Sequence, residues 1–391
     1  MLNTPFSPWP SFTQEEANAV SNVILSNKVN YWTGQEGREF EKEFAAWSNV
    51  KYAVALGNGT LALELALKAM DIGDGDEVIT TPRTFLASAS SIVTSGASPV
   101  FADVDLNSQN ITADSIEAVL TEKTKAVIVV HLAGMPAEMD EIMALSDKHG
   151  FYVIEDCAQA HGANYKGKSV GSIGHIGAWS FCQDKIMTTG GEGGMVTTND
   201  KTLWSKMWSY KDHGKSFDAI YNREHLPGFR WLHESFGTNW RMTEMQAVIG
   251  RIQLKRMLNW TAKRRFNANA IDEAVENINC VRVVDVPNYS THAEYKHYLF
   301  VRPEKLKTGW TRDRIVTEIT AKGVAAFQGS CSEVYLEKAF DGTPWRPETR
   351  LPNAVELGET SLMFLVHPTL TEGEVSKTAS VIREVLLQAS S

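Results

Sequence analysis

The sequence predicts an α/β protein with a mostly parallel, buried sheet, followed by a smaller C-terminal α+β domain. Three observations carry that expectation. Short apolar runs of β type alternate with helical stretches from about residue 51 to residue 198. Those runs are continuously apolar, as in strands covered on both faces. After Thr243 the alternation stops, and a long helical stretch leads into scattered strands and helices. Together they place an N-terminal segment at 1–30, a large domain at 31–255 and a small domain at 256–391.

The elements follow in order. The run Tyr52-Ala-Val-Ala-Leu56 is the first strand, and 61–70 the first helix. Strands are expected at 77–80, 99–104, 126–130, 151–155 and 195–198, and helices at 114–120 and 137–148. In 243–275, Met245, Val248, Ile252, Leu254 and Leu258 recur at helical spacing, which reads as one long helix joining the domains. Beyond it, 281–286 and 298–301 read as strands, and 312–322 and 372–387 as helices.

Composition narrows the function. Of 391 residues, 43% are hydrophobic and 22% charged, which supports a large core and excludes global disorder. The formal charge of −9 argues against a nucleic-acid binder. No apolar run reaches the roughly 18 residues of a membrane span. Residues 1–9 lack the basic start and apolar core of a signal peptide. Cys157, Cys182, Cys280 and Cys331 show no CxxC spacing and make no disulfide framework. A cytoplasmic setting is the expectation.

The clearest local signal is the first strand, then Gly57-Asn-Gly59-Thr60, then a helix. A strand, a glycine turn and a helix start gather free N–H groups and the positive end of a helix dipole, a site for phosphate. Gly59 lets the backbone approach closely, and Thr60 adds a hydroxyl. The same residues, Gly57-x-Gly59-x-x-Ala62 with Asp74 or Asp76 downstream, satisfy a dinucleotide fingerprint, and a ligand-free turn is a third reading.

Two further segments bear on the choice. Strand 151–155 ends in Glu155-Asp156, which alternation sends to opposite faces, one into the cleft beyond the strand end. Cys157, Gln159 and His161 follow; Asp156, Cys157 and His161 complete no four-ligand metal site, and no metal is expected. Lys185 then precedes four glycines in five positions, 190–194, read as a flexible backbone-lined loop. A lysine there is either an ordinary surface residue or a Schiff-base nucleophile. A phosphate cradle, a strand-end acid and a lysine are together what pyridoxal phosphate requires: an anion site, an acidic partner for its ring nitrogen and an amine for its aldehyde.

Along nearly its whole length the chain resembles the sugar-nucleotide aminotransferases, fold-type-I pyridoxal-phosphate enzymes akin to aspartate aminotransferase. The resemblance runs from Gly34-Gln-Glu-Gly-Arg-Glu-Phe40-Glu-Lys-Glu-Phe44 through Asn58-Gly-Thr60, Thr84-Phe85, Glu155-Asp156-Cys-Ala-Gln159-Ala-His161, Trp179-Ser180-Phe181 with Lys185, and Asp212-His213-Gly214 to Gly237-Thr-Asn239-Trp240-Arg241. It implies a large domain with a seven-stranded-type sheet. It implies that Lys185 binds the cofactor covalently and shuttles the proton, that Asp156 partners the ring nitrogen, and that Gln159 meets the phenolic oxygen. Gly59, Thr60 and Ser180 would hold the phosphate, and Phe85 would stack on the ring. Asn239 would reach the phosphate from a neighbouring subunit, which implies a homodimer with shared sites. His161 and His213 are substrate candidates, and Tyr31 and Arg241 are substrate or subunit-contact candidates.

The implied reaction moves an amino group from an amino acid, glutamate by resemblance, to a nucleotide-linked keto sugar, as in polysaccharide biosynthesis. Lysine at 185, where some relatives carry a dehydrating histidine, favours amino transfer. Three features depart from the family pattern. Trp240 replaces a tyrosine, Gly190-Gly191 adds a residue to the glycine loop, and 330–340 is an uncommon segment expected to border the substrate entrance. The competing readings are a nicotinamide-dependent oxidoreductase built on the Gly57–Ala62 loop and a non-catalytic sensor or scaffold.

Overall fold

The computed structural model describes residues 5–224, 228 and 230–391; the first four residues of the expected N-terminal segment lie outside that description. Seven strands form the main sheet. Their spatial order is Tyr52–Leu56, Gly194–Thr198, Ile176–Ser180, Tyr152–Asp156, Thr124–Val130, Glu77–Thr80 and Ser98–Phe101. Only Gly194–Thr198 runs against its neighbours; the other pairs are parallel. Alternation within the apolar runs serves two cores. Along Thr124–Val130, Ala126 and Ile128 join one buried cluster while Val127 and Val129 join another.

The apolar strands fall where the sequence places them, with ends shifted by up to three residues. Ile176–Ser180 is the strand that pattern reading missed, although it lies beside Tyr152–Asp156. Glycine is depleted in strands, and Gly177 hides this one. A Cβ there would stand 2.5 Å from the Thr197 hydroxyl and 2.6 Å from Gly171, so a close approach requires the glycine. The expected long helix is two, Glu244–Leu254 and Met257–Val275. No proline or glycine marks the break. Arg256 stands in it and pairs with Glu15 and Glu16, each at 2.6 Å, so a tertiary contact fixes what local sequence leaves silent.

A second, antiparallel sheet orders Val281–Val283, His297–Val301, Ser361–Phe364 and Ala326–Phe327. The N-terminal segment packs on both halves. Phe6 joins the core of the smaller sheet, and helix Gln14–Leu25 lies against Glu244–Leu254. The dinucleotide reading fails on topology. A dinucleotide fold starts at the sheet's centre, at a switch point, whereas Tyr52–Leu56 is an edge strand. No described helix is long and apolar enough to cross a membrane.

Tyr31, a candidate substrate or subunit contact, does not line the cavity at the strand ends. It is 3% exposed, donates to Glu41 at 2.9 Å, and lies under the Lys211 ammonium, 4.0 Å from the ring centroid. Glu41 also pairs with Lys211 at 2.6 Å and accepts from the Ala55 N–H. Glu41→Gln leaves the buried Lys211 charge without its counter-ion. It should cost about 3–5 kcal/mol, read as a lower urea midpoint with an unchanged slope.

Candidate active site

The strand ends and the smaller sheet enclose a cavity of about 1060 Å³. Five segments of the large sheet converge on it: the start of helix Gly59–Ala69, the 84–88 turn, the end of Tyr152–Asp156, the end of Ile176–Ser180, and the lysine loop. Gly59, Thr60, Phe85, Asp156, Gln159, Ser180 and Lys185 all line it. Seven residues dispersed over the sequence thus meet in one place.

The helix start is an open anion cradle. The Asn58 side chain caps only Leu61, at 2.9 Å, so the N–H groups of Gly59 and Thr60 lack intrahelical partners. Gly59 is obligatory by distance, since a Cβ there would lie 2.6 Å from Ser180 Cβ and 3.0 Å from Ser180 Oγ. That brings the Ser180 hydroxyl against the same helix end.

Asp156 is 6% exposed. Its two oxygens accept from the Ser88 hydroxyl at 2.8 Å and the Ala158 N–H at 3.1 Å. Burial pushes its carboxyl above the usual range, and the Ser88 bond pulls the other way. Ser88 in turn bonds Thr84 at 2.9 Å. Sequence reading named Thr84-Phe85 but missed Ser88; its one signal was the four-residue spacing from Thr84 on a helix start. Glu155, the other acid, points away as alternation requires. It accepts from the N–H groups of Gly171, Ile173 and Gly174 and pairs with His131 at 3.0 Å. The Gln159 carbonyl accepts from the Ala133 N–H at 2.8 Å, leaving its amide nitrogen as the remaining donor.

The loop bearing Lys185 is tied down, not flexible as expected. Ile186 and Met187 are fully buried, the Thr188 N–H reaches Gln253 at 2.8 Å, the Thr188 hydroxyl reaches the Phe181 carbonyl at 2.9 Å, and Cys182 bridges to Gly191. The Lys185 ammonium lies 3.9 Å from Asp184 and 5.0 Å from the centroid of the Tyr295 ring. Tyr295 bonds Asp184. Asp184 and Tyr295 went unnoticed in the sequence because one follows no motif and the other comes from the smaller half of the chain. Ser330, Cys331, Val334 and Glu337 line the opposite wall, so segment 330–340 does border the cavity.

Other candidates do not line it. His161 is fully buried between Trp179 and Phe181, with ring centroids at 5.2 and 5.6 Å. Burial, with the charges of Lys185 and Arg264, pushes its pKa down to about 3, so it is a neutral core residue. Asp156, Cys157 and His161 form no ligand group among the described residues. His213 is exposed and binds the Thr238 carbonyl through its backbone. Arg241 pairs with Asp212 at 2.5 Å. Asn239 is exposed, bridges to Asp212 and does not line the cavity.

An open helix start, a buried acid on a strand end and a lysine in one cavity define a pyridoxal-phosphate site of fold type I. The chain belongs to the DegT/DnrJ/EryC1/StrS aminotransferase family, whose profile matches residues 10–383. It is therefore a pyridoxal-phosphate-dependent aminotransferase. An aminotransferase from Psychrobacter cryohalolentis is 67% identical, with a TM-score of 0.97 over 98% of this chain and 99% of that one. The chain is 38% identical to a UDP-N-acetyl-3-dehydro-alpha-D-glucosamine 3-aminotransferase of Acidithiobacillus ferrooxidans, over 93% of this chain and 92% of that one. It is 35% identical to the spore coat polysaccharide biosynthesis protein SpsC of Bacillus subtilis, over 96% of each.

Two outcomes follow from this geometry. Gly59→Ala should weaken pyridoxal phosphate binding to the apo-protein by about ten- to hundredfold, the worth of one lost charge-assisted bond. An absorbance titration checks it, with circular dichroism showing the fold retained. Ser88→Ala removes a bond that lowers the Asp156 carboxyl. The acid limb of the activity profile should therefore move to higher pH.

Proposed function

We propose that this enzyme transfers an amino group from an amino acid, glutamate by preference, to a nucleotide-linked keto sugar. The convergence of Lys185, Asp156 and the open helix start on one cavity carries the reading. Bound there, pyridoxal phosphate supplies an aldehyde and an electron-withdrawing ring. The N–H groups of Gly59 and Thr60 and the Ser180 hydroxyl hold its phosphate. Asp156 keeps a proton on its ring nitrogen, and the Gln159 amide donates to its phenolic oxygen. Phe85, 72% exposed and lining the cavity, would stack on the ring.

Lys185 is the group that moves the proton. Its Nζ would hold the cofactor's aldehyde and, when free beside the substrate α-carbon, would carry the proton off and later back. Asp184 and Tyr295 keep that nitrogen near the cavity floor.

The sugar substrate is supported by the UDP-sugar aminotransferase among the relatives and by SpsC, a polysaccharide biosynthesis protein. The active form is a cytoplasmic homodimer in which Asn239 of one protomer completes the other's phosphate site. Support comes from the exposure of Asn239 and of the neighbouring Trp231 and Phe236, 91% and 98% exposed in the single chain.

The test loads the enzyme with pyridoxamine phosphate, adds nucleotide-linked keto sugars one at a time, and follows the visible band of the pyridoxal form. One sugar should restore it. Lys185→Ala should turn over at least about a thousandfold more slowly; turnover at the wild-type rate contradicts the assignment.

A further inference from the structure

The N-terminal segment reaches the reacting lysine directly. The Trp9 indole N–H donates to the main-chain carbonyl of Lys185 at 3.0 Å, across 176 residues of sequence. It is the one donor to that carbonyl among the described residues. The Lys185 N–H donates to the Cys182 carbonyl at 3.1 Å, so both main-chain polar groups of the lysine are held. The next two residues, Ile186 and Met187, are fully buried, which fixes the chain beyond it.

Trp9 is itself held in place. Its ring meets Trp260 edge to face, with centroids 5.2 Å apart, and stacks on His367 at 6.0 Å. Burial, with the charges of Arg264 and Lys296, brings the His367 pKa down to about 4, so the stacked ring is neutral. The Arg264 guanidinium lies over Trp9, 4.9 Å from the ring centroid. The main chain just before Trp9 is pinned to the smaller half of the protein. There the Ser7 N–H donates to Glu374 at 2.5 Å, and the Pro8 carbonyl accepts from the Thr369 hydroxyl at 2.8 Å. A phenylalanine would fill much of the same space. The indole adds a donor on its edge, and that donor lands on the lysine's own peptide.

We propose that Trp9 is a positioning residue for the reaction: its N–H fixes the Lys185 peptide, and so the direction from which the lysine amine enters the cavity. The inference rests on the reading that Lys185 joins the cofactor and moves the proton. The amine stands at the end of a flexible four-carbon stem, so a small rotation of the peptide swings Nζ through a larger arc. A displacement of about 1 Å can cost about a hundredfold in rate. Asp184 and Tyr295 hold the amine end of the side chain; Trp9 holds the main-chain end.

The test replaces Trp9 with benzothienylalanine, which keeps the indole shape and puts sulfur in place of the N–H, and separately makes Trp9→Phe. Isothermal titration of each apo-protein uses two probes. Pyridoxal phosphate has the aldehyde that Lys185 joins; pyridoxamine phosphate has none. Both variants should bind pyridoxal phosphate about three- to tenfold more weakly than wild type, the worth of one hydrogen bond, and pyridoxamine phosphate as wild type does. In turnover, kcat should fall about ten- to hundredfold with the KM for the amino donor unchanged. Equal weakening of both probes marks general damage to the pocket and overturns the proposal. Wild-type affinity and rate with benzothienylalanine overturn it as well, whatever Trp9→Phe does. If Lys185→Ala binds pyridoxal phosphate as tightly as wild type, the reading of Lys185 fails and the proposal with it; a failure of the Trp9 variants alone leaves that reading standing.

Discussion

A carboxylate held in the interior, Asp156, is the constraint on which the site depends. At 6% exposure it is nearly removed from water, and burial opposes its ionised form. The protein supplies two donors in place of water, the Ser88 hydroxyl and the Ala158 N–H. It holds them by placing Tyr152–Asp156 at the middle of the seven-stranded sheet, between Thr124–Val130 and Ile176–Ser180. Strands on either side fix the carboxylate laterally, and helix Ala87–Thr94 brings Ser88 onto it. The rigid sheet thus serves one buried charge.

The same sheet fixes the opposite partner. Lys185 follows Ile176–Ser180 by a few residues, and its loop is stitched to Gln253 and Phe181. Backbone ties on one side and the Asp184–Tyr295 pair on the other limit where the ammonium can go. Tyr295 comes from the segment leading into the smaller sheet, so the lysine's surroundings are assembled from both halves of the chain.

Much of this was legible in the sequence, for identifiable reasons. Buried parallel strands announce themselves as apolar runs, and a glycine turn between a strand and a helix has few physical uses. Asp156, Lys185 and Gly59 stand out in the sequence because their chemistry is unusual where they stand, and all three line one cavity. Ile176–Ser180 was hidden by Gly177, whose tight contact with Gly171 and Thr197 is a property of three segments together. The helix break at Arg256 depends on Glu15 and Glu16, more than two hundred residues away. Tyr31, His161 and Arg241 stand outside the cavity, and a polar side chain in a motif looks the same whether it serves a ligand or a buried network. Tyr295 has no local mark at all, and Ser88 has only its four-residue spacing from Thr84.

The most direct measurement is borohydride reduction of the holoenzyme followed by peptide mass mapping. The cofactor should become fixed to a single peptide, with the added mass on Lys185. Added mass on another lysine, or none on a protein that retains pyridoxal phosphate, contradicts the assignment of this cavity as the reacting centre.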